Sequence, residues 1–207
     1  ARSGGQGLDI GIVGLGTGSL ACHGRAVDRW AFYEIDPAVV AIAQDASQFR
    51  FLSECAPDAR IVVGDARLTL AKDKTTFDVL VIDAFASDAI PVHLLTKESV
   101  AMYTSRLNPG GVLVLHISNR HLELGSVVAS IKQSLDLKGV ILLDQIAGGD
   151  FLKGGHAGSL VAALSKDDAA MKALEAGKWR RLAETKTPVW TDDYSNIVGA
   201  MWRAYTM

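Results

Sequence analysis

Five apolar runs of four to six residues, each closed by a polar or glycine-rich stretch and followed by a helical pattern, constrain this chain more than any other feature. The runs are residues 8–13, 30–34, 60–63, 77–82 and 112–117. The helical patterns run from the glycine-rich turn into Arg25, onward from Pro37, and over 66–71, 92–107 and 122–137. Pro37 suits a first helical turn, where its missing N–H costs little. The 92–107 pattern is expected to end at Asn108-Pro109-Gly110-Gly111. Strands alternating with helices predict an α/β fold: a mostly parallel, twisted sheet with helices on both faces. The pattern then changes. Residues 140–145 and 159–164 read as two strands without a clear helix between them, which suits an antiparallel pair at a sheet edge. A further helix is predicted over 167–176, and the tail carries Trp190-Thr191-Asp192-Asp193-Tyr194.

Length and charge narrow the function classes. The 207 residues suffice for one domain with a substantial core, so 1–207 is read as a single domain. The formal net charge of −2 and the absence of a Lys/Arg run count against a nucleic-acid binder. No apolar run reaches the roughly 18 residues that span a bilayer, and no signal peptide is visible. The chain starts Ala-Arg-Ser, so a fragment of a longer protein is expected, with room for an upstream membrane domain. Cys22 and Cys55 have no metal-ligand spacing and are expected to be buried or half-buried thiols. His93, His116, His121 and His156 form no readable metal site, and none is expected.

Right-handed crossovers place the C-terminal ends of parallel strands along one edge, where ligands of such sheets bind. After the first run comes Gly14-Leu15-Gly16-Thr17-Gly18. A dinucleotide fingerprint requires GxGxxG; here the third glycine comes one residue early and Ser19 holds its place, which disfavours a diphosphate. After the second run comes Glu34, either a ribose-binding carboxylate or a solvated strand end, with Asp36 placed to cap the next helix. After the third come Gly64 and Asp65; Asp65 either accepts from an adenine amino group or caps a helix. After the fourth comes Asp83, an acid that ends an apolar strand and is expensive to bury without a cationic partner. Asp88 either assists it or shapes the turn, and Phe85 either joins the core or covers a ligand ring. Ser118, Asn119 and Arg120 follow the fifth run as candidate pocket residues, while Asp192 and Asp193 either fold back to add charge or form a solvated turn.

A glycine loop, an acid, a Gly-Asp and an acid at four consecutive strand ends resemble the Rossmann-like methyltransferase superfamily. Within it the chain is similar to the spermidine synthase (polyamine aminopropyltransferase) family. The residues that carry this are Gly14–Gly18, Tyr33-Glu34-Ile35-Asp36-Pro37, Gly64-Asp65-Ala66 and 77–83. The resemblance implies a donor site at Gly14, Gly16, Thr17, Gly18, Glu34, Ile35, Asp65, Ala66 and Asp83, with Asp83 and Asp88 as the catalytic acids. It implies transfer of an aminopropyl group from decarboxylated S-adenosylmethionine to a polyamine such as putrescine, without a metal, in a cytoplasmic protein or the cytoplasmic domain of a membrane protein; a homodimer is compatible with it. Three features depart from the family pattern. Thr17 stands where the family has an Asp, Asp83–Asp88 replaces Asp-Ser-Ser-Asp-Pro, and the amino-terminal β-strand domain is missing. Methyl transfer from S-adenosylmethionine and a non-catalytic nucleoside- or polyamine-binding module therefore stand as alternatives, with an NAD-dependent reductase last.

Overall fold

The structure, a computed structural model, describes residues 5–85, 90–144 and 159–206. It is an α/β fold with an eight-stranded sheet of order β3-β2-β1-β4-β5-β7-β6-β8. The strands are β1 (Asp9–Val13), β2 (Arg29–Glu34), β3 (Arg60–Val63), β4 (Phe77–Ile82), β5 (Leu107–His116), β6 (Lys138–Asp144), β7 (Ser159–Ser165) and β8 (Arg180–Arg181). The helices are α1 (Pro37–Gln44), α2 (Phe51–Cys55), α3 (Ala66–Lys72), α4 (Lys97–Ser105), α5 (Gly125–Ser134), α6 (Asp168–Glu175) and α7 (Ile197–Thr206). The chain divides into two compact bodies, one from Ala1–Phe85 with Met102–Leu113, the other from Ala86–Ala101 with Val114–Met207.

In the first body β1 lies parallel between β2 and β4, and β3 adds parallel to β2. Register brings Val13 level with both Tyr33 and Ile82, and Glu34 level with Val63. Side chains alternate along a strand, so Ile10, Ile12 and Phe32 share one face. There they pack with Val40 and Ala43 of α1 and with Leu52 of α2. Val13, Tyr33, Leu80 and Ile82 share the other face and are all buried. Burial on both faces is what a parallel sheet between helices requires. Polar clasps close the margins. Asp28 accepts from the Leu8 and Arg25 N–H groups and from the Arg25 guanidinium. Burial alone would raise its pKa, but these donors outweigh that and hold it at about 2. Asp73 accepts from the Tyr33 hydroxyl, the Arg60 guanidinium and Thr75. Burial opposes its ionisation and the donors overcome that, so its pKa lies well below the usual carboxylate range. Burial and the same hydrogen bond push the Tyr33 hydroxyl up.

The expected helix running into Arg25 is instead a 3-10 helix over Ser19–His23. It stops at Gly24, where an added Cβ would lie 2.3 Å from the Trp30 ring. The two cysteines are not thiols: Cys22 and Cys55 form a disulfide with Cα atoms 4.9 Å apart. Their separation of 33 residues carries no sequence signature. The chain-entropy treatment gives such a cross-link about 3–4 kcal/mol of stabilisation.

The second body is built differently. Strands β6 and β7 pair antiparallel from Lys138↔Ser165 to Asp144↔Ser159, as the sequence pattern predicts, and β8 adds antiparallel to β6. Helix α5 is buried along Val127, Val128, Ala129 and Ile131. Asp167 caps α6 by accepting from Ala170 N–H. Arg203 of α7 pairs with Glu123 at 3.1 Å. The helix expected over 92–107 is divided: a 3-10 turn spans Val92–Leu94 and α4 starts at Lys97. Thr96 Oγ1 accepts from Ser99 N–H and so caps the new helix. Asn108-Pro109-Gly110-Gly111, read as a helix stop, lies within β5, with Gly110 at φ 77°.

Candidate functional site

The carboxyl ends of β3, β2, β1 and β4 are joined in one level by main-chain hydrogen bonds within the first body. Gly14 N–H donates to Tyr33 O at 2.9 Å, Asp83 N–H to Val13 O at 2.8 Å, and Gly64 N–H to Glu34 O at 2.8 Å. Residue 14 must be glycine: its φ is 97°, and an added Cβ would stand 2.4 Å from the Asp83 carbonyl oxygen. The glycine loop and the start of the Asp83 loop therefore touch backbone to backbone.

Glu34 is the buried acid of this edge, 8% exposed. Its Oε2 accepts from Leu15 N–H at 2.9 Å and its Oε1 from Asp36 N–H at 3.0 Å. It is thus no solvated strand end. One side chain fixes both the glycine loop and the turn into α1. An ionised carboxylate has about four lone-pair positions, so each oxygen keeps capacity for one further donor, such as a ribose hydroxyl. Gly16 is exposed, and an added Cβ there meets nothing within 4 Å. That leaves open space directly over the loop. Thr17 is half-buried and Gly18 buried.

Ile35 is 67% exposed, an apolar side chain held in solvent directly after the Glu34 carboxylate. Asp65 caps α3, accepting from Arg67 and Leu68 N–H at 2.9 and 3.2 Å, and Ala66 is buried in the first turn. Asp36 caps α1 through Ala38 N–H at 2.8 Å. Asp83 is half-buried. Phe85 is 38% exposed and does not join the core. Asp88 and His156 lie outside the described residues.

In the second body the candidate polar residues serve its own architecture. Ser118 Oγ accepts from Leu160 N–H and contacts His116 Nε2, each at 2.8 Å, tying the end of β5 to β7. Asn119 Oδ1 accepts from His121 and Leu122 N–H and caps that turn. The tail turn at 191–194 folds back. Asp192 accepts from Thr96 Oγ1 at 2.7 Å, and its N–H donates to Glu98. Among the described residues no group of three or more His, Cys, Asp or Glu is placed to hold a metal ion, and no helix is long and apolar enough to cross a membrane.

Sequence reasoning missed the Leu15 N–H as the partner of Glu34, and the Cys22–Cys55 bond. The first is a backbone group with no residue signature. The second depends on α2, whose five residues are too few to show a helical period.

No family model matches the chain. It is 31% identical over 109 residues to the polyamine aminopropyltransferase of Vibrio vulnificus, a match covering 50% of this chain and 35% of that one. It is 27% identical over 130 residues to a Bifidobacterium longum protein named a probable polyamine aminopropyl transferase, covering 60% of this chain and 27% of the relative. The matched part thus spans only 27–35% of the length of these relatives. Among solved structures, a probable spermidine synthase from Corynebacterium glutamicum superposes with a TM-score of 0.63 at 21% identity, over 91% of this chain and 73% of that one. Human methyltransferase-like protein 13, solved in complex with SAH, gives 0.57 at 19% identity, over 91% and 86%. The similarity to aminopropyltransferases and the Rossmann-like methyltransferase fold, both expected from the strand-end residues, are found by comparison as well.

Proposed function

We propose that the chain carries the donor-binding and catalytic part of an aminopropyltransferase, moving an aminopropyl group from decarboxylated S-adenosylmethionine to a polyamine such as putrescine. The observation that carries this is the level arrangement of Gly14, Glu34, Gly64 and Asp83, with Glu34 bridging the glycine loop and the turn into α1. The names of the curated relatives point to the same reaction.

On this reading the two remaining lone-pair positions of Glu34 accept from the ribose hydroxyls. Ile35 offers its exposed apolar side chain to the adenine ring. Asp65, while capping α3, orients the backbone around the adenine edge. The reaction is an in-line displacement. The lone pair of a neutral amine attacks the methylene carbon beside the sulfonium. The carbon–sulfur bond breaks, and its electron pair leaves with sulfur as a neutral thioether. The new ammonium then releases one proton. The leaving group needs no acid, so the chain's task is to hold both partners in line and to accept that proton. Asp83, half-buried next to the glycine loop, is the acceptor, with Asp88 as its helper.

Methyl transfer from S-adenosylmethionine is the second reading, favoured by Thr17 in place of an acid at the glycine loop. A missing acid there removes the partner that would distinguish a bare amine from an amino acid end. Calorimetry with both donors separates the two. Asp83→Asn tests the first: turnover should fall by about 10²–10⁴-fold, the usual worth of a positioned base, while the donor's Kd stays within about twofold. Full activity in that variant would remove Asp83 from the mechanism. Donor binding without turnover in the complete protein would identify a binding module instead.

A further inference from the structure

We infer that the Cys22–Cys55 disulfide is a redox clasp on the glycine loop, whose reduction loosens the loop and weakens nucleoside binding; this rests on the nucleoside reading above. The bond joins two elements that are each too short to persist alone. One is the five-residue 3-10 helix Ser19–His23, which continues directly from Gly18. The other is the five-residue α2. Gly18, at φ 79°, lies so close to α2 that an added Cβ would stand 2.6 Å from Leu52 Cγ. The 33-residue span that the bond closes contains Glu34, the carboxylate that holds Leu15 N–H. The loop is therefore fixed at one end by Glu34 and at the other by Leu52 packing and the covalent link. Removing the link leaves the second end to apolar packing alone, with Leu15, Ala21 and Leu52 in one buried cluster.

The bond is open to attack. Cys22 is exposed and Cys55 half-buried. Exchange proceeds when a thiolate reaches a disulfide sulfur. One thiolate of a dithiol reductant bonds to Cys22 Sγ, the disulfide bond breaks, and Cys55 leaves as a thiolate that takes up a proton. The reductant's second thiolate then displaces Cys22, which is protonated in turn. Two electrons have passed to the protein, and the reductant departs as a cyclic disulfide. A small disulfide such as oxidised glutathione reverses the process. Structural disulfides in apolar cores are shielded from this chemistry; an exposed one beside a ligand loop is not.

The test uses the whole chain, with dithiothreitol as reductant and decarboxylated S-adenosylmethionine as the probe. Thiol alkylation and mass spectrometry of the untreated protein should find both cysteines blocked. Calorimetry should show the probe's Kd rising on the order of tenfold on reduction, as expected if the loop keeps its binding geometry about a tenth of the time. Backbone hydrogen exchange over 14–24 should accelerate in the same samples, and both effects should reverse with oxidised glutathione. The Cys22→Ser/Cys55→Ser double variant should bind as the reduced protein does and ignore the reductant. If that variant fails to fold, reduction of the unmodified chain still decides. Two free thiols at the outset, or equal affinity and exchange in both redox forms, would overturn the clasp. Redox-dependent exchange with no probe binding in either form would overturn the nucleoside reading while supporting the clasp as a device that orders the loop.

Discussion

The two bodies of this protein use polar groups in opposite ways. In the first, acids stand at the ends of parallel strands and hold loops: Glu34 grips Leu15 and Asp36 N–H, and Asp28 grips Leu8 and Arg25 N–H. In the second, polar side chains mainly finish local structure. Thr96 caps α4, Asp167 caps α6, Asn119 caps a turn, and Ser118 bridges two strands. The lesson concerns geometry. Parallel strands bring distant acids to a single edge, where they can act together on a ligand. In the second body the polar groups are used up in capping helices and tying its own elements together, as Ser118 ties β5 to β7 and Asp192 holds Thr96.

Exchanging one carboxylate for its amide in each body puts that contrast at risk. Glu34→Gln turns one of two accepting oxygens into a donor aimed at a backbone N–H. The variant should lose about 1–3 kcal/mol of stability, the cost of an unsatisfied buried group. It should also bind the nucleoside roughly ten- to a hundredfold more weakly, the equivalent of one charged hydrogen bond at about 1.5–3 kcal/mol. Glu123→Gln disturbs the pair with Arg203 and the bond that Glu123 Oε1 accepts from Ser126 N–H at the start of α5. The loss of stability should again be about 1–3 kcal/mol, but calorimetry should find nucleoside affinity unchanged. Equal loss of affinity in both variants would erase the division of labour.

The legibility of the sequence follows the same division. Strands β3 and β4 match the expected bounds to the residue, because short apolar runs closed by polar residues and glycine leave few choices, and Glu34, Asp65 and Asp83 are legible as candidates because each stands at the end of such a run. The Asn-Pro-Gly-Gly segment was misread. These residues signal a turn by composition, but in the structure they extend β5, and an added Cβ at Gly111 would lie 2.9 Å from Phe77 O. The helix over Ser19–His23 was overextended because the bulk of Trp30 against Gly24 is a tertiary constraint. Helices α2 and α7 and the two-residue β8 were not seen. The first and last are too short to carry a period. The disulfide was read as two thiols because a pairing across 33 residues depends on where α2 packs, which no spacing reports.

Acid should separate the bodies next. Asp28 is held at about 2 against an ordinary value of 3.8, and Asp73 is depressed further. A carboxylate whose pKa is lowered by folding stabilises the fold above its unfolded value and loses that contribution as pH falls through the folded one. The Asp28 share is therefore complete above about pH 4 and lost on descent toward pH 2. Hydrogen exchange followed from pH 5 to pH 2 should show the start of β1 and the 25–28 turn opening before α5, which is packed by apolar groups that do not titrate. Asp28→Asn should be less stable at neutral pH and should flatten this acid limb. Simultaneous opening of both regions would show that acid stability is shared across the chain.

The smallest effect belongs to Asp168. Its pKa is also lowered, first by its hydrogen bond to Lys172 and then by that ammonium's charge, so a reading from pKa direction alone would rank it with Asp28. The geometry separates them. Asp168 and Lys172 form an i,i+4 pair on α6 whose side chains are 58% and 67% exposed. Water screens the attraction, and holding two long side chains in one arrangement costs entropy. Asp28 has its own side chain only 3% exposed and accepts two backbone N–H groups that would otherwise go unpaired. Asp168→Asn should therefore leave the melting temperature and its pH dependence within measurement error, and added salt should not change that outcome. A clear loss of stability in this variant, comparable to that of Asp28→Asn, would mean that charge alone, independent of burial and backbone partners, determines where this protein resists acid.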